Sequence, residues 1–95
     1  MDTIDFTCRN SKQKSKAREL LFISQNGMCF YCGIKCSQSK TADTVDERNR
    51  WFVLDHKIAV AKGGNSLFSN LIGSCYLCNQ NKRDKDFDFN NKLFL

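Results

Sequence analysis

The sequence lacks proline, has a single histidine, and contains no long apolar run. Because a helix needs about 20 consecutive apolar residues to cross a bilayer, we expect no membrane-spanning segment. The N-terminal residues, Met1 to Asp5, are polar and acidic, whereas a secretory signal carries basic residues followed by an apolar stretch. These absences predict an intracellular, cytoplasmic protein that is neither secreted nor attached to a membrane.

Cysteine, in contrast, is abundant, with six in a chain of 95 residues. A chain of this length is expected to form one domain, residues 1–95, with a modest core that benefits from cross-links. Because intracellular thiols stay reduced, metal binding is favoured over disulfides. Four cysteines form two C-x-x-C pairs, Cys29/Cys32 and Cys75/Cys78. Two such pairs supply the four thiolates of a structural Zn²⁺ site.

The other two cysteines, Cys8 and Cys36, are interpreted as buried or idle thiols, with a substitute-ligand role for Cys36 as the alternative. A redox dithiol is a competing interpretation of the C-x-x-C pairs. It is disfavoured because a thioredoxin-like motif requires a βαβ context, and the sequence shows none.

The net charge is +5, and part of it is concentrated near the N-terminus. Five cations occur there without an acidic residue among them: Arg9, Lys12, Lys14, Lys16 and Arg18. Such a bias suits a polyanion, and it fits RNA as well as DNA. Many small proteins are basic without binding nucleic acid, so charge alone does not decide the function.

Hydrophobic periodicity and turn signals predict a small α+β fold. A helix is expected over residues 11–26, capped by Asn10 with Gln13 and ended by Asn26-Gly27. The spacing of its residues 17, 20, 21 and 24 predicts one buried face. Strands are expected at Trp51–Leu54 and Leu71-Ile72, with a Gly63-Gly64 turn between them, and a helix at 76–85. Residues 37–50 are expected to form a loop or loose hairpin. The tail, 87–95, is expected to pack on the body, with a homodimer interface as the alternative.

Four motifs occur in order: C-F-Y-C-G at Cys29, L-D-H at Leu54, G-G-N-S-L-F-S-N-L at Gly63 and C-Y-L-C-N-Q-N-K at Cys75. Together they resemble the HNH endonuclease family over roughly residues 17–85, in a variant with asparagine at the third motif position. The resemblance implies a ββα-metal (His-Me finger) fold, here with a pair of zinc knuckles and an N-terminal helix. It also implies a divalent-metal-dependent hydrolase that cuts phosphodiester bonds in DNA.

The resemblance assigns a role to each motif residue. His56 would be the general base, Asp55 and Asn79 would be ligands of the catalytic metal, and Asn70 would brace the loop between the strands. Oxygen ligands suit Mg²⁺ or Mn²⁺ and predict poorer use of Zn²⁺ or Ni²⁺. Lys82 matches a basic position of the family. It would share a helix face with Asn79 and Arg83, and both cations are expected to contact the nucleic-acid backbone.

The competing hypothesis is a zinc-stabilised module that binds nucleic acid or protein without catalysis. Both hypotheses use the cysteines and the positive charge, but only a nuclease needs Asp55, His56 and Asn79 together. One such site would nick one strand, so a double-strand break would need a homodimer or two events. Two modes of cleavage fit the sequence: a nonspecific reaction, or a reaction that a partner protein directs to its site.

Overall fold

A two-stranded antiparallel hairpin followed by a helix forms the centre of the fold. The computed structural model describes residues 6–39, 41–82, 87–88 and 93–94. Strand β1, Phe52–His56, pairs with strand β2, Leu71–Cys75, and helix α3, Tyr76–Lys82, follows β2 directly. The register pairs Phe52 with Cys75 and His56 with Leu71. The predicted small α+β architecture and its ββα order are therefore confirmed.

Helix α1, Ser11–Ser24, packs against both strands of this hairpin. The predicted capping box is present, because the Asn10 side chain accepts from the Gln13 backbone and the Gln13 side chain accepts from the Asn10 backbone. Ala17 and Leu21 face the core. Leu20 and Ser24 differ from the prediction, since 41% of Leu20 remains exposed and Ser24 is exposed as well. The helical periodicity therefore identified the buried face but made it two residues too wide.

The hairpin is fitted closely to its neighbours at Gly73 of β2. A Cβ atom at this position would lie 1.8 Å from the ring of Phe52, which is itself fully buried. The side chain of Gln25, just after α1, both donates to the Gly73 carbonyl and accepts from its N–H. Any larger residue at position 73 would displace the central aromatic ring, so the glycine sets the spacing of α1 on the sheet.

The segment before α1 is attached to the loop that precedes β2. Thr7 forms an antiparallel bridge with Leu67, and the Cys8 N–H donates to the Ser66 carbonyl at 2.8 Å. The rings of Phe6 and Phe68 stack with their centroids 5.0 Å apart. These contacts bring residues 6–9 beside the end of β1.

The region between the first knuckle and β1 contains a short helix, α2, Val45–Asn49, so the expectation of a loop over 37–50 was wrong there. Thr44 caps this helix by accepting from the Glu47 N–H. Because α2 has no buried residue, hydrophobic periodicity could not reveal it. The cap and the two acidic residues in its first turn were its only signals.

Near the C-terminus, strands β3, Phe87–Asp88, and β4, Leu93–Phe94, pair antiparallel. The other residues of the tail lie outside the described residues, as do residues 83–85 of the helix expected over 76–85, so the packing of the tail on the body stays a prediction. Within the described part of the chain, no helix combines the length and the apolar character that crossing a membrane requires.

Candidate active site

The four cysteines of the two C-x-x-C pairs meet at one point, as predicted. Their Sγ atoms all lie within 4.8 Å of one another, and the Cys32 and Cys75 sulfurs are 3.8 Å apart. A tetrahedral zinc ion with Zn–S bonds of about 2.3 Å separates its sulfurs by roughly 3.8 Å. The cluster therefore has the ligand type, number and spacing that a structural zinc ion requires.

Each knuckle has its own local geometry. In the first, the Cys29 N–H donates to the Ile34 carbonyl and the Gly33 N–H donates back to the Cys29 carbonyl. In the second, Cys75 ends β2 and Cys78 lies in the first turn of α3. Backbone N–H groups of Tyr31 and Cys78 approach the Cys29 and Cys75 sulfurs at 3.4 Å. These donors favour the charged, thiolate form that binds metal.

The protonation of the sulfurs reflects their proximity. A hydrogen bond from the Cys75 thiol lowers the pKa of Cys29 to about 4, and burial raises the pKa of Cys78 to about 12. The pKa of Cys75 is raised because its thiol is the donor to Cys29. One thiolate is thus already favoured, and a cation at the centre would displace the protons of the other thiols.

Cys8 and Cys36 are both buried, as expected for structural thiols. Burial raises the pKa of Cys36 to about 12, so this thiol stays protonated. All six cysteines belong to the described residues, and the metal-binding group contains neither of these two.

The carboxylate of Asp55 is buried, and three groups of the protein surround it. The Tyr31 hydroxyl donates to Oδ2 at 3.0 Å, and the His56 backbone N–H donates to Oδ1 at 2.8 Å. The Lys82 ammonium lies 3.4 Å from both carboxylate oxygens. Burial and the Asp55 charge raise the pKa of Tyr31, so its hydroxyl keeps the proton that it donates.

Lys82 occupies a position that the sequence did not suggest. Only 1% of it is exposed, and its ammonium donates to the His56 carbonyl at 2.6 Å as well as contacting Asp55. The expectation that Lys82 contacts nucleic acid from the helix surface does not fit this burial. A buried ammonium requires a partner, and Asp55 supplies it. Arg83, the other expected backbone contact, lies outside the described residues.

His56 ends β1, and its side chain is half-buried. It lines a cavity that also contains Arg9, Lys14 and Ser66. Burial lowers the pKa of His56, and the charges of Lys82 and Lys14 add to the effect, whereas Asp55 opposes it. The imidazole is therefore neutral at neutral pH and has a nitrogen free to accept a proton.

Asn70 makes three hydrogen bonds across the loop that joins the two strands. Its Oδ1 accepts from the Ile58 N–H at 3.0 Å, and its Nδ2 donates to the carbonyls of Ile58 and Asn65. The Asn70 backbone carbonyl also accepts from the Lys57 N–H at 2.7 Å. Gly64 permits this tight loop, because a Cβ there would lie 1.8 Å from the Ile58 carbonyl oxygen.

Asn79 lies on α3, half-buried, three residues before Lys82. Residues three apart lie on the same side of a helix. Since Lys82 contacts Asp55, Asn79 is on the side of α3 that faces β1. Asp55 and Asn79 both offer hard oxygen donors, the type of ligand that Mg²⁺ and Mn²⁺ prefer. A carboxylate has about four acceptor positions, so an ion bound to Asp55 would share its oxygens with Tyr31, His56 and the Lys82 ammonium.

The sequence did not point to Tyr31 or to the buried position of Lys82. Tyr31 lies between two metal ligands, where any residue is compatible with the C-x-x-C spacing, so its hydroxyl carried no separate signal. The helical spacing placed Lys82 on the same side of α3 as Asn79, and in the structure the lysine contacts Asp55 from that side.

These features define a zinc-knuckle ββα protein with a histidine at the end of its first strand. The model of the HNH endonuclease family matches residues 29–85, which is more than half of the chain. The protein therefore belongs to the HNH endonuclease family. Neither the curated proteins nor the solved structures gave a match to the chain.

Proposed function

We propose that this protein is a divalent-metal-dependent endonuclease that hydrolyses phosphodiester bonds in DNA and nicks one strand per active site. The four-cysteine cluster holds a structural Zn²⁺ and takes no part in the chemistry. The observation that carries the proposal is the environment of His56, within the segment that matches the family.

His56 has the properties of a general base. Its side chain lines an open cavity, and its lowered pKa keeps it neutral at neutral pH. Two cations, Arg9 and Lys14, line the same cavity and attract a phosphate group to it. A water molecule between a phosphate bound there and His56 would transfer a proton to the imidazole as its oxygen attacks phosphorus, and the P–O bond to the leaving oxygen would break.

The carboxylate of Asp55 and the side-chain amide oxygen of Asn79 would hold the catalytic ion. When bound, a Mg²⁺ or Mn²⁺ ion supplies positive charge at the scissile phosphate and the leaving oxygen. Asp55 and His56 are the last two residues of β1, so the ligand of the ion and the base would belong to one strand end.

Two neighbours hold this strand end in place. Lys82 fixes the His56 carbonyl and the Asp55 carboxylate, and Asn70 fixes the loop that follows His56. A base displaced by about 1 Å loses much of its effect, so these contacts matter for the rate as well as for stability.

The test is nicking of a supercoiled plasmid by the zinc-loaded protein in Mg²⁺, with native protein and His56→Ala compared. We expect the native protein to nick, and the variant to be slower by roughly 10²- to 10⁴-fold, the usual contribution of a general base. DNA binding and the melting temperature should be retained, because His56 is half-buried and at the end of its strand.

Equal nicking by the two proteins would overturn the assignment of His56 as the base. Binding of DNA without nicking by the native protein, in both Mg²⁺ and Mn²⁺, would favour a non-catalytic binding module. A dependence on Asp55 and Asn79 for nicking, but not for DNA binding, would support their role as metal ligands.

A further inference from the structure

The basic run near the N-terminus lies outside the segment that matches the family, and the chemistry above uses little of it. Helix α1 arranges this run by its periodicity. Ser11, Lys14, Ser15 and Arg18 recur at the spacing of one helix face, and all four line a single cavity against β1. Lys12, in contrast, is exposed and lines neither this cavity nor the one at His56.

The cavity along α1 continues into the cavity at His56. The two share Lys14 of α1 and Leu54 of β1, so they form one trough, which we call the α1–β1 trough. It begins near Arg18 and ends at His56. The two parts have volumes of about 350 Å³ and 410 Å³, and both are open to solvent.

Arg9 joins the His56 end of the trough because the chain before α1 is attached there. The Cys8 N–H donates to the Ser66 carbonyl, and Thr7 bridges to Leu67, which fixes the position of the neighbouring Arg9. Arg9 and Ser66 then line the trough together with His56. The residues that pair here, 7–8 and 66–67, are far apart in the chain, so it is the fold that holds Arg9 at the site.

The charge of the trough has one sign. Arg9, Lys14 and Arg18 line it, and no acidic residue is among the described residues that do. Serine hydroxyls at positions 11, 15 and 66 add neutral hydrogen-bond donors, and Phe52 and Leu54 form an apolar floor. Cations and hydroxyl donors along an open trough suit the phosphates of a nucleic-acid backbone, which are the main source of binding energy in such complexes.

We propose that the α1–β1 trough binds the phosphodiester backbone of the substrate strand and leads it to His56, with Arg9, Lys14 and Arg18 as the phosphate contacts. The proposal rests on the proposed nuclease function and extends it beyond the matched segment. The trough reads phosphates and carries no base specificity of its own.

The experiment measures binding of a fluorescent oligonucleotide to the zinc-loaded full chain, without Mg²⁺, as a function of salt. Lys14→Gln with Arg18→Gln removes two trough charges. Lys12→Gln with Lys35→Gln removes two exposed charges elsewhere and serves as the matched control. We expect the trough variant to bind at least tenfold more weakly at 0.1 M salt and its salt slope to fall by roughly 1.4–1.8, since each phosphate contact contributes about 0.7 on a single strand and about 0.9 on B-DNA.

Equal losses in the two double variants would overturn the proposal, because a general charge effect would then explain the binding. Unchanged binding in the trough variant would overturn it as well. Since no divalent metal is present, binding is measured whether or not the protein cleaves, so this result is separate from the nicking test. Parallel series with DNA and RNA strands show which backbone the trough prefers, and a trough-dependent loss for either one supports the proposal.

Discussion

The cysteine cluster and the end of strand β1 are built in opposite ways. The cluster consists of four identical ligands in two local turns, and the spacing within each turn brings its sulfurs together. The strand end instead combines residues from distant parts of the chain, with Tyr31, Asp55 and Lys82 meeting in a buried group. Each half of the cluster is specified locally and only the two halves must meet, whereas every contact around Asp55 except that of the His56 N–H depends on the completed fold.

The two regions are nevertheless connected at Asp55. Tyr31 lies between the ligands Cys29 and Cys32, and its hydroxyl donates to the Asp55 carboxylate. Lys82 ends the helix that contains Cys78. Both side chains that surround Asp55 therefore belong to elements that the cluster anchors. Disruption of the cluster should reach the candidate active site, whereas changes at the site should leave the cluster intact.

The largest effect is expected from loss of a cluster ligand. Cys75→Ser should abolish zinc binding and the fold together, because metal binding in small zinc modules supplies about 10–16 kcal/mol. Zinc content and circular dichroism measure both properties, and native protein should contain about one zinc ion per chain. Cys36→Ala is the control, since Cys36 lies outside the cluster. An equal loss of zinc in that control would show that Cys36 is also a ligand.

A smaller effect is expected at the buried ion pair. Lys82→Met should lower the free energy of unfolding by about 3–5 kcal/mol, because it leaves the Asp55 charge buried without its cation. Urea unfolding measures the loss, and zinc content should be unchanged. The double variant Lys82→Met with Asp55→Asn should recover part of the loss. If it recovered nothing, the pair would not be the source of the stability.

The Tyr31 hydroxyl should contribute less. Tyr31→Phe removes one hydrogen bond to a charged carboxylate and should cost about 1.5–3 kcal/mol. Zinc binding should survive, because the Tyr31 contact to Cys29 uses the backbone. Unfolding and zinc titration test this pair of outcomes. Loss of zinc affinity in the variant would mean that the hydroxyl supports the knuckle itself.

The smallest change in stability is expected at Asn70. Its three bonds are exposed, so water can replace most of each, and Asn70→Ala should cost only about 1 kcal/mol in all. The nicking rate should fall further than this stability loss implies, because the loop follows the candidate base. Asn49→Ala, at the end of α2, is the matched control. A nicking rate equal to that of the control would remove Asn70 from the site.

The same contrast explains which features the sequence could predict. The metal cluster, the capping box of α1 and the order of the ββα elements follow from short spacings, and the structure contains each of them. The helix α2 escaped prediction because none of its side chains is buried. The burial of Lys82 could not be inferred, because its partner Asp55 lies 27 positions away in the chain. The position of Arg9 likewise depends on the pairing of Thr7 with Leu67.

The most direct test of the central claim is chemical rescue of His56→Ala in the plasmid nicking assay. Imidazole added to the variant in Mg²⁺ should restore a measurable part of the nicking rate, because a free base can enter the open cavity that the side chain lined. Pyrazole, a ring of similar size and much weaker basicity, should not. Nicking by the variant at the native rate without any added base would contradict the account.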